Sequence, residues 1–300
     1  MNSLRFKRYL FGLGLFLLFS GSELMQNSHW GFFAHRQVNK LAIYALPNPI
    51  YSFFRENEQF ISDHAIDPDK RRHSVKNEAE KHYIDLDHYG DKIDSIKSIL
   101  PLSWTKAIEK FTEDSLREYG IAPWNAISAY YSLVEVLKNG DKRKILKSLA
   151  DFGHYIGDIH VPLHTTKNYN GQLSGQDGIH GFWESRLPEL YFEDYNLLLP
   201  KPVYVENINQ FIFDIIYESH RLMPIVLAVE AELRADKKFQ KTFESRSSSS
   251  VYTYSKSFAQ HYHDNLDGMV ENRLRDSAYN LACLWYSAWV DAGQPDMGKL

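Results

Sequence analysis

A single cysteine, Cys283, stands in 300 residues, so no intramolecular disulfide can form and the fold has to rest on its core. Cys283 lies in the apolar helical stretch YNLACLWYSAW, which reads as a place for a buried structural thiol, and no metal-ligand spacing surrounds it. A basic excess is missing as well. The chain carries 34 Lys and Arg against 38 Asp and Glu, a formal net charge of -4. That balance excludes capture of nucleic acid or anionic membrane by bulk charge, and any such substrate has to be held locally. Alternating strand patterns are scarce, and there is neither an internal repeat nor a long linker. The apolar run near the start, Tyr9 to Phe19, is eleven residues, too short for a comfortable membrane span.

What the chain does have is helical periodicity and enough apolar residues, 44%, to bury a sizeable core. His35 to Leu46 places Val38, Leu41, Ala42 and Ala45 on one face, and Pro47 stops it. Further helices are expected over Ile108–Glu118, Asn125–Lys138 and Lys142–Ile159, the last two split by Asn139-Gly140-Asp141. A long helix over Ile208–Leu233 is expected to kink at Pro224, and another helical stretch to run from Val251 to Ala292, entered from the loop Ser245 to Ser250. The architecture expected is one all-α, mostly helical domain.

The leader differs from the rest. Arg5, Lys7 and Arg8 precede the short apolar run, and Ser20-Gly21-Ser22 offers small residues for cleavage. This is the layout of a signal peptide over residues 1–22, with a cut as late as residue 29 an alternative, and it implies an exported chain whose domain spans residues 30–300. The competing reading is an uncleaved leader acting as a membrane anchor.

Thirteen histidines are present, and nine of them, His35, His64, His73, His82, His88, His154, His160, His164 and His180, fall in or beside the polar segments Phe60–Gly90 and Thr165–Gly178. Two pairs have ligand spacing. His154 with Asp158, and His180 with Glu184, stand four apart, which stacks both side chains on one helical face. Pro162 ends or bends the first helix, so His164 sits where the chain has turned away and can address another ion, with Asp158 free to bridge. His160, two residues from Asp158, points to another face and is excluded from the ligand set; His73 and His88 read as surface or supporting residues. The bland alternative for each pair alone is a solvated surface pair; their proximity favours zinc.

The motif HYIGDIHVPLH resembles the signature of a superfamily that joins the zinc-dependent phospholipases C and the single-strand-specific fungal nucleases, matched at His154, Tyr155, Gly157, Asp158, Pro162 and His164. His180 with Glu184 matches the family's next element. Trp183 is nuclease-like, whereas Glu184 and the short gap after His164 are phospholipase-like. Trp30 and His35 in WGFFAHR resemble the mature start of the nucleases, and HYID at His82–Asp85 a further ligand stretch.

The resemblance implies a mostly helical fold with three zinc ions at the base of a cleft. It assigns Asp67, His82, His154 and Asp158 to one ion, with Asp63 and Asp69 as alternatives to Asp67. His164, His180 and Glu184 would hold a second, more exposed ion, and Trp30, His35 and Asp158 a third. In the nucleases the tryptophan is the processed N-terminus; here residues 23–29 separate it from the best cleavage site. The implied activity is zinc-dependent hydrolysis of a phosphodiester, a phospholipid headgroup or single-stranded nucleic acid, by metal-activated water. Asp67 would act as general base, and Lys70 or Arg71 would supply the cation that the nucleases place as an arginine three residues after the ligand aspartate. Tyr83 and Asp85 would contact the substrate by stacking and by reading a base edge, although Tyr83 also suits a headgroup or the core. No obligate protein partner is implied, and a monomer is expected. The alternative from another class is a non-catalytic zinc-binding protein of the same fold.

Overall fold

A computed structural model describes residues 31–48, 50–236, 241–246 and 249–300. The leader and Trp30, and with them the signal-peptide reading and that ligand assignment, lie outside the described residues. The architecture is all-α, a single mostly helical domain. Its frame is α1 (Phe32–Ala45), the short α2 (Asp67–Arg71), α3 (Ala122–Asn139), α4 (Lys142–Asp158), α5 (Ile208–Ala235), α6 (Lys256–Asn265) and α7 (Met269–Asp291), with shorter helical turns between them. Helices α1, α3, α4 and α7 pack against one another, and α5 lies across α3 and the turn Pro162–Thr165. No described helix is long and apolar enough to cross a membrane.

The helix boundaries have local causes. Gly140 ends α3 in the left-handed conformation at φ 71°, and Asp141 caps α4 by accepting from the Lys144 amide at 3.2 Å. Asn207 and Ser255 cap α5 and α6 in the same way. α5 runs through Pro224 without ending there. The stretch expected as one helix from Ile108 to Glu118 is two, broken at Thr112, whose φ is 65°. The expected helical stretch Val251–Ala292 needs a larger correction. Its start, with the Ser-rich loop before it, forms an antiparallel hairpin of β1 (Lys241–Arg246) and β2 (Ser249–Tyr254), and a left-handed Gly268 separates α6 from α7. Val251, Tyr252, Thr253 and Tyr254 are β-branched or aromatic, the types that favour a pleated surface.

The core beneath the site includes the buried rings of Trp183, Trp285, Tyr130 and Phe152. α1 and α4 approach closely at one point. Gly153 faces Asn39, and a methyl group on Gly153 would overlap the Asn39 amide. That amide donates to the carbonyls of Ile61 at 3.2 Å and Ala150 at 3.4 Å, so one buried side chain joins three segments. Glycine at 153 is therefore a packing requirement, one residue before His154. Cys283 is buried, and its sulfur accepts from the Val203 amide at 3.4 Å.

A candidate metal centre

Eight ligand-type side chains converge beneath this crossing: His35 from α1, Asp69 from α2, His82 from the following loop, His154 and Asp158 from α4, His164 from the turn Pro162–Thr165, and His180 and Glu184 beyond it. They form three groups: His35, Asp69 and His154; His82, His154 and Asp158; His164, His180 and Glu184. All are buried except His180, whose side chain is 19% exposed.

Asp158 is the hub of the cluster. Its Oδ2 lies 2.8 Å from His82 Nδ1 and 3.2 Å from His154 Nε2, while its Oδ1 lies 3.4 Å from His35 Nε2 and 3.8 Å from His164 Nδ1. The i,i+4 spacing on α4 puts His154 and Asp158 on one face, as helical geometry requires. Glu184 Oε2 takes His180 Nε2 at 2.9 Å and His164 Nε2 at 3.3 Å. Residues Phe182–Arg186 form a turn of π-helix, an irregularity that often marks functional positions. Gly31, where the described chain begins, packs on Ser185 next to Glu184, so α1 enters directly beside this group.

Backbone carbonyls orient the imidazoles. His154 Nδ1 donates to Ala65 O at 2.8 Å, His164 Nδ1 to His82 O at 2.6 Å and His180 Nδ1 to Tyr169 O at 3.1 Å. Each bond leaves Nε2 as the lone-pair nitrogen facing the cluster, the arrangement that prepares a histidine for a metal. His160 is arranged differently. Its Nδ1 donates to Ile156 O at 2.7 Å and its Nε2 meets the Asn280 amide at 2.9 Å, so both nitrogens are used away from the cluster.

The electrostatics of the protein alone are discordant. Burial, with His154 beside it, pushes His35 down to about 3, and burial lowers His82 to about 4. His154 overcomes its burial because Asp158 and Asp69 raise it to about 9. Burial lifts Asp69 to about 6, whereas His154, His164 and His82 hold Asp158 well below the usual carboxylate range despite burial. His180 and His164 likewise hold Glu184 at about 2 against its burial. His82 Nε2 and Glu184 Oε1 meet no hydrogen-bonding partner among the described residues. Three carboxylates and five imidazoles, all but His180 buried, are costly without cations. The donor set is all nitrogen and oxygen, with no thiolate, which fits zinc as well as other divalent ions of the imidazole-binding class.

The carboxylate and cation expected from the sequence need correcting. Asp67 does not join the cluster. Its side chain is 32% exposed, and its oxygens take His64 Nδ1 at 2.5 Å and Lys70 Nζ at 2.9 Å. Asp69 is 4% exposed and places Oδ1 3.7 Å from both His82 Nδ1 and His154 Nε2. Residues two apart on a helix project to nearly opposite sides, so when α2 buries Asp69, Asp67 must face out. Asp63, the other alternative, is exposed. Lys70 is 54% exposed beside Asp67, away from the cluster. Arg71 is committed to Glu78, Asp151 and Tyr155. Arg72, the next residue, is half-buried. It stands three residues after Asp69.

Tyr83 is half-buried next to His82, and burial, then Asp87, raises the half-buried Asp85 to about 6. Tyr169 is 53% exposed, and its ring meets that of His180 edge-on at 5.8 Å between centroids. Sequence reasoning did not single out Tyr169, whose place follows from the loop that returns the chain to His180. A cavity of about 640 Å³ lined by residues such as Pro101, Lys106, Tyr131 and Asn207 shares no residue with the cluster.

The fold and site together define the class: an all-α protein with buried histidine and carboxylate groups able to hold metal ions. No family model matches the chain, and no curated protein matches it. Among solved structures, the alpha toxin from Clostridium absonum is similar at 12% identity and a TM-score of 0.42 over 85% of this chain. The match takes in 63% of the toxin, so this chain spans under two thirds of its length.

Proposed function

We propose that the protein is a zinc-dependent phosphodiester hydrolase. The observation that carries the reading is the position of Asp158, whose two oxygens reach four histidines drawn from separate parts of the chain, within a cluster of eight buried or nearly buried ligand-type residues. Its support from sequence is the motif His154 to His164, in the order and spacing of the zinc phospholipase C and nuclease superfamily. Zinc bound there would lower the pKa of a coordinated water toward about 7 and offset the charge of a phosphodiester.

The candidate ligands are His164, His180 and Glu184 on one side and His35, Asp69, His82, His154 and Asp158 on the other, where the one free nitrogen of His154, Nε2, would serve a single ion. Asp69, buried within 3.7 Å of His82 and His154, would orient an attacking water and take its proton. Arg72 offers a planar guanidinium for the negative charge of the substrate. Tyr83 and Asp85, which follow His82, would contact the substrate, with Tyr169 beside His180. The reading includes export through the leader, cleavage after residue 22 and a catalytic domain over residues 30–300.

The test is zinc content together with hydrolysis of bis-p-nitrophenyl phosphate, comparing the natural chain with Asp158→Ala. Zinc in the natural chain and activity that falls with Asp158 support the reading. Absence of zinc after reconstitution overturns it, and zinc without diester hydrolysis leaves a metal-binding protein without this chemistry. Parallel assays on single-stranded DNA and phosphatidylcholine vesicles separate the two substrate classes.

A further inference from the structure

Asp69 and His82 bring ligands to the same cluster from the two ends of an irregular excursion, and the middle of that excursion, His73 to Asn77, is exposed. Something other than regular secondary structure has to hold those ends in place. Asn77 adopts a left-handed φ of 62°, and the next side chain, Glu78, turns inward and is 1% exposed. Glu78 Oε1 accepts from Arg71 Nε at 3.0 Å and from the Tyr155 hydroxyl at 2.5 Å, while Oε2 accepts from Lys81 Nζ at 2.8 Å. Arg71 also donates to Asp151 Oδ1 at 3.1 Å and to the Tyr155 hydroxyl at 2.9 Å. Tyr155 follows His154 on α4, and its ring packs edge-on against the rings of His82 and His154 at centroid distances of 5.6 and 5.7 Å.

We propose that Glu78, bridging Arg71, Lys81 and Tyr155, is a positioning group that holds Asp69 and His82 against α4 and so sets the affinity of the ions they bind. None of the bridging side chains belongs to a ligand group. Their contribution is geometric. Arg71 lies two residues after Asp69 and Lys81 one residue before His82, so one carboxylate ties both flanks of the excursion to the helix that carries His154 and Asp158. A buried carboxylate accepting from three charged or hydroxyl donor groups has a narrow range of positions, and the ligand-type residues next to those donors inherit that precision. The group His164, His180 and Glu184 makes no side-chain contact with this bridge and is linked to it only through the His82 carbonyl that orients His164, while Tyr169 O orients His180. This inference rests on the metal-centre reading above.

The experiment is zinc titration of the full chain against a chromophoric chelator, with Glu78→Gln, Tyr155→Phe and Arg71→Lys beside the natural protein. Tyr155→Phe removes only the hydroxyl and keeps the ring packed, so it provides the measurement if Glu78→Gln does not fold. The expected result is zinc affinity weakened by roughly 10–100-fold for part of the bound zinc, the usual effect of losing support behind a ligand, while the rest keeps its affinity. Adding His180→Ala to Tyr155→Phe is expected to remove that unaffected zinc. Unchanged stoichiometry and affinity in folded variants, even with a lowered melting temperature, would make the bridge purely stabilising and overturn the proposal. Absence of zinc in the natural chain overturns the metal-centre reading itself, whereas natural zinc binding with unaffected variants overturns the positioning role alone.

Discussion

The ligand-type side chains around Asp158 and those around Glu184 are held by different means. The first set comes from α1, α2, α4 and the loop at His82, all buried, and helix packing places three of its contributors. The second comes from the turn Pro162–Thr165, the residues Ile179–Gly181 and the π-helical turn after them, and it includes the half-open His180. Its geometry depends on backbone carbonyls and on the loop between His164 and His180. That loop is anchored at Gln176, whose amide donates to the buried Glu230 at 2.5 Å, and Glu230 also accepts from Tyr254 at 2.9 Å. A packed set resists local change until the helices move, whereas a loop-borne set can lose one ligand without disturbing its neighbour.

The largest expected effect is from Asp158→Ala, which removes the carboxylate shared across the packed set and leaves its histidines facing one another. Zinc by mass spectrometry should fall to the amount held by His164, His180 and Glu184, and diester hydrolysis should drop by about 100-fold or more. Retention of all bound zinc would show the groups to be independent.

Asp69→Asn and Asp67→Asn come next as a pair. The first should weaken zinc binding by roughly 10–100-fold, since it alters a carboxylate inside the cluster, and the second should change it by less than about twofold, because Asp67 serves only a surface pair. The reverse outcome would return the ligand role to Asp67.

Gly153→Ala tests the packing beneath the first set. The added methyl meets the Asn39 amide, and the loss of stability is expected at about 1–3 kcal/mol, measured by urea denaturation. His180→Ala, by contrast, should release the zinc of the exposed set while changing stability of the metal-free protein by under about 0.5 kcal/mol.

The effect confined to the narrowest conditions is in pH. Glu78 is held at about 2 because Lys81, Tyr155 and Arg71 outweigh its burial. Its ordinary value is 4.5, so the unfolded chain takes up a proton first as pH falls. The contribution of Glu78 is fully present above about 4.5 and is lost as pH falls toward about 2, on the order of 2–3 kcal/mol in all. Glu78→Gln should flatten the acid limb of the stability curve over that window, and an unchanged limb would show that Glu78 does not contribute there.

Much of the site is legible in sequence because its strongest signals are local. His154 with Asp158 and His180 with Glu184 obey a spacing set by the helix itself, and Pro162 marks the turn that sends His164 elsewhere. The exclusion of His160 follows the same geometry, and the structure spends both its nitrogens on Ile156 and Asn280. The hairpin was not legible. Val251–Tyr254 suits a strand or a buried helix equally, and only pairing with Lys241–Arg246 decides between them.

The sequence by itself determined a helical chain with two histidine–carboxylate pairs four residues apart, because backbone geometry fixes which neighbours share a face. Tertiary structure alone decided which aspartate enters the cluster. Asp67 and Asp69 are alike in type and nearly alike in position, and the packing of α2 on α4 buries one and exposes the other. It also decided that Arg71 is a brace, because a charge is assigned by the groups folding brings to it, and those come from residues 7 to 84 positions away.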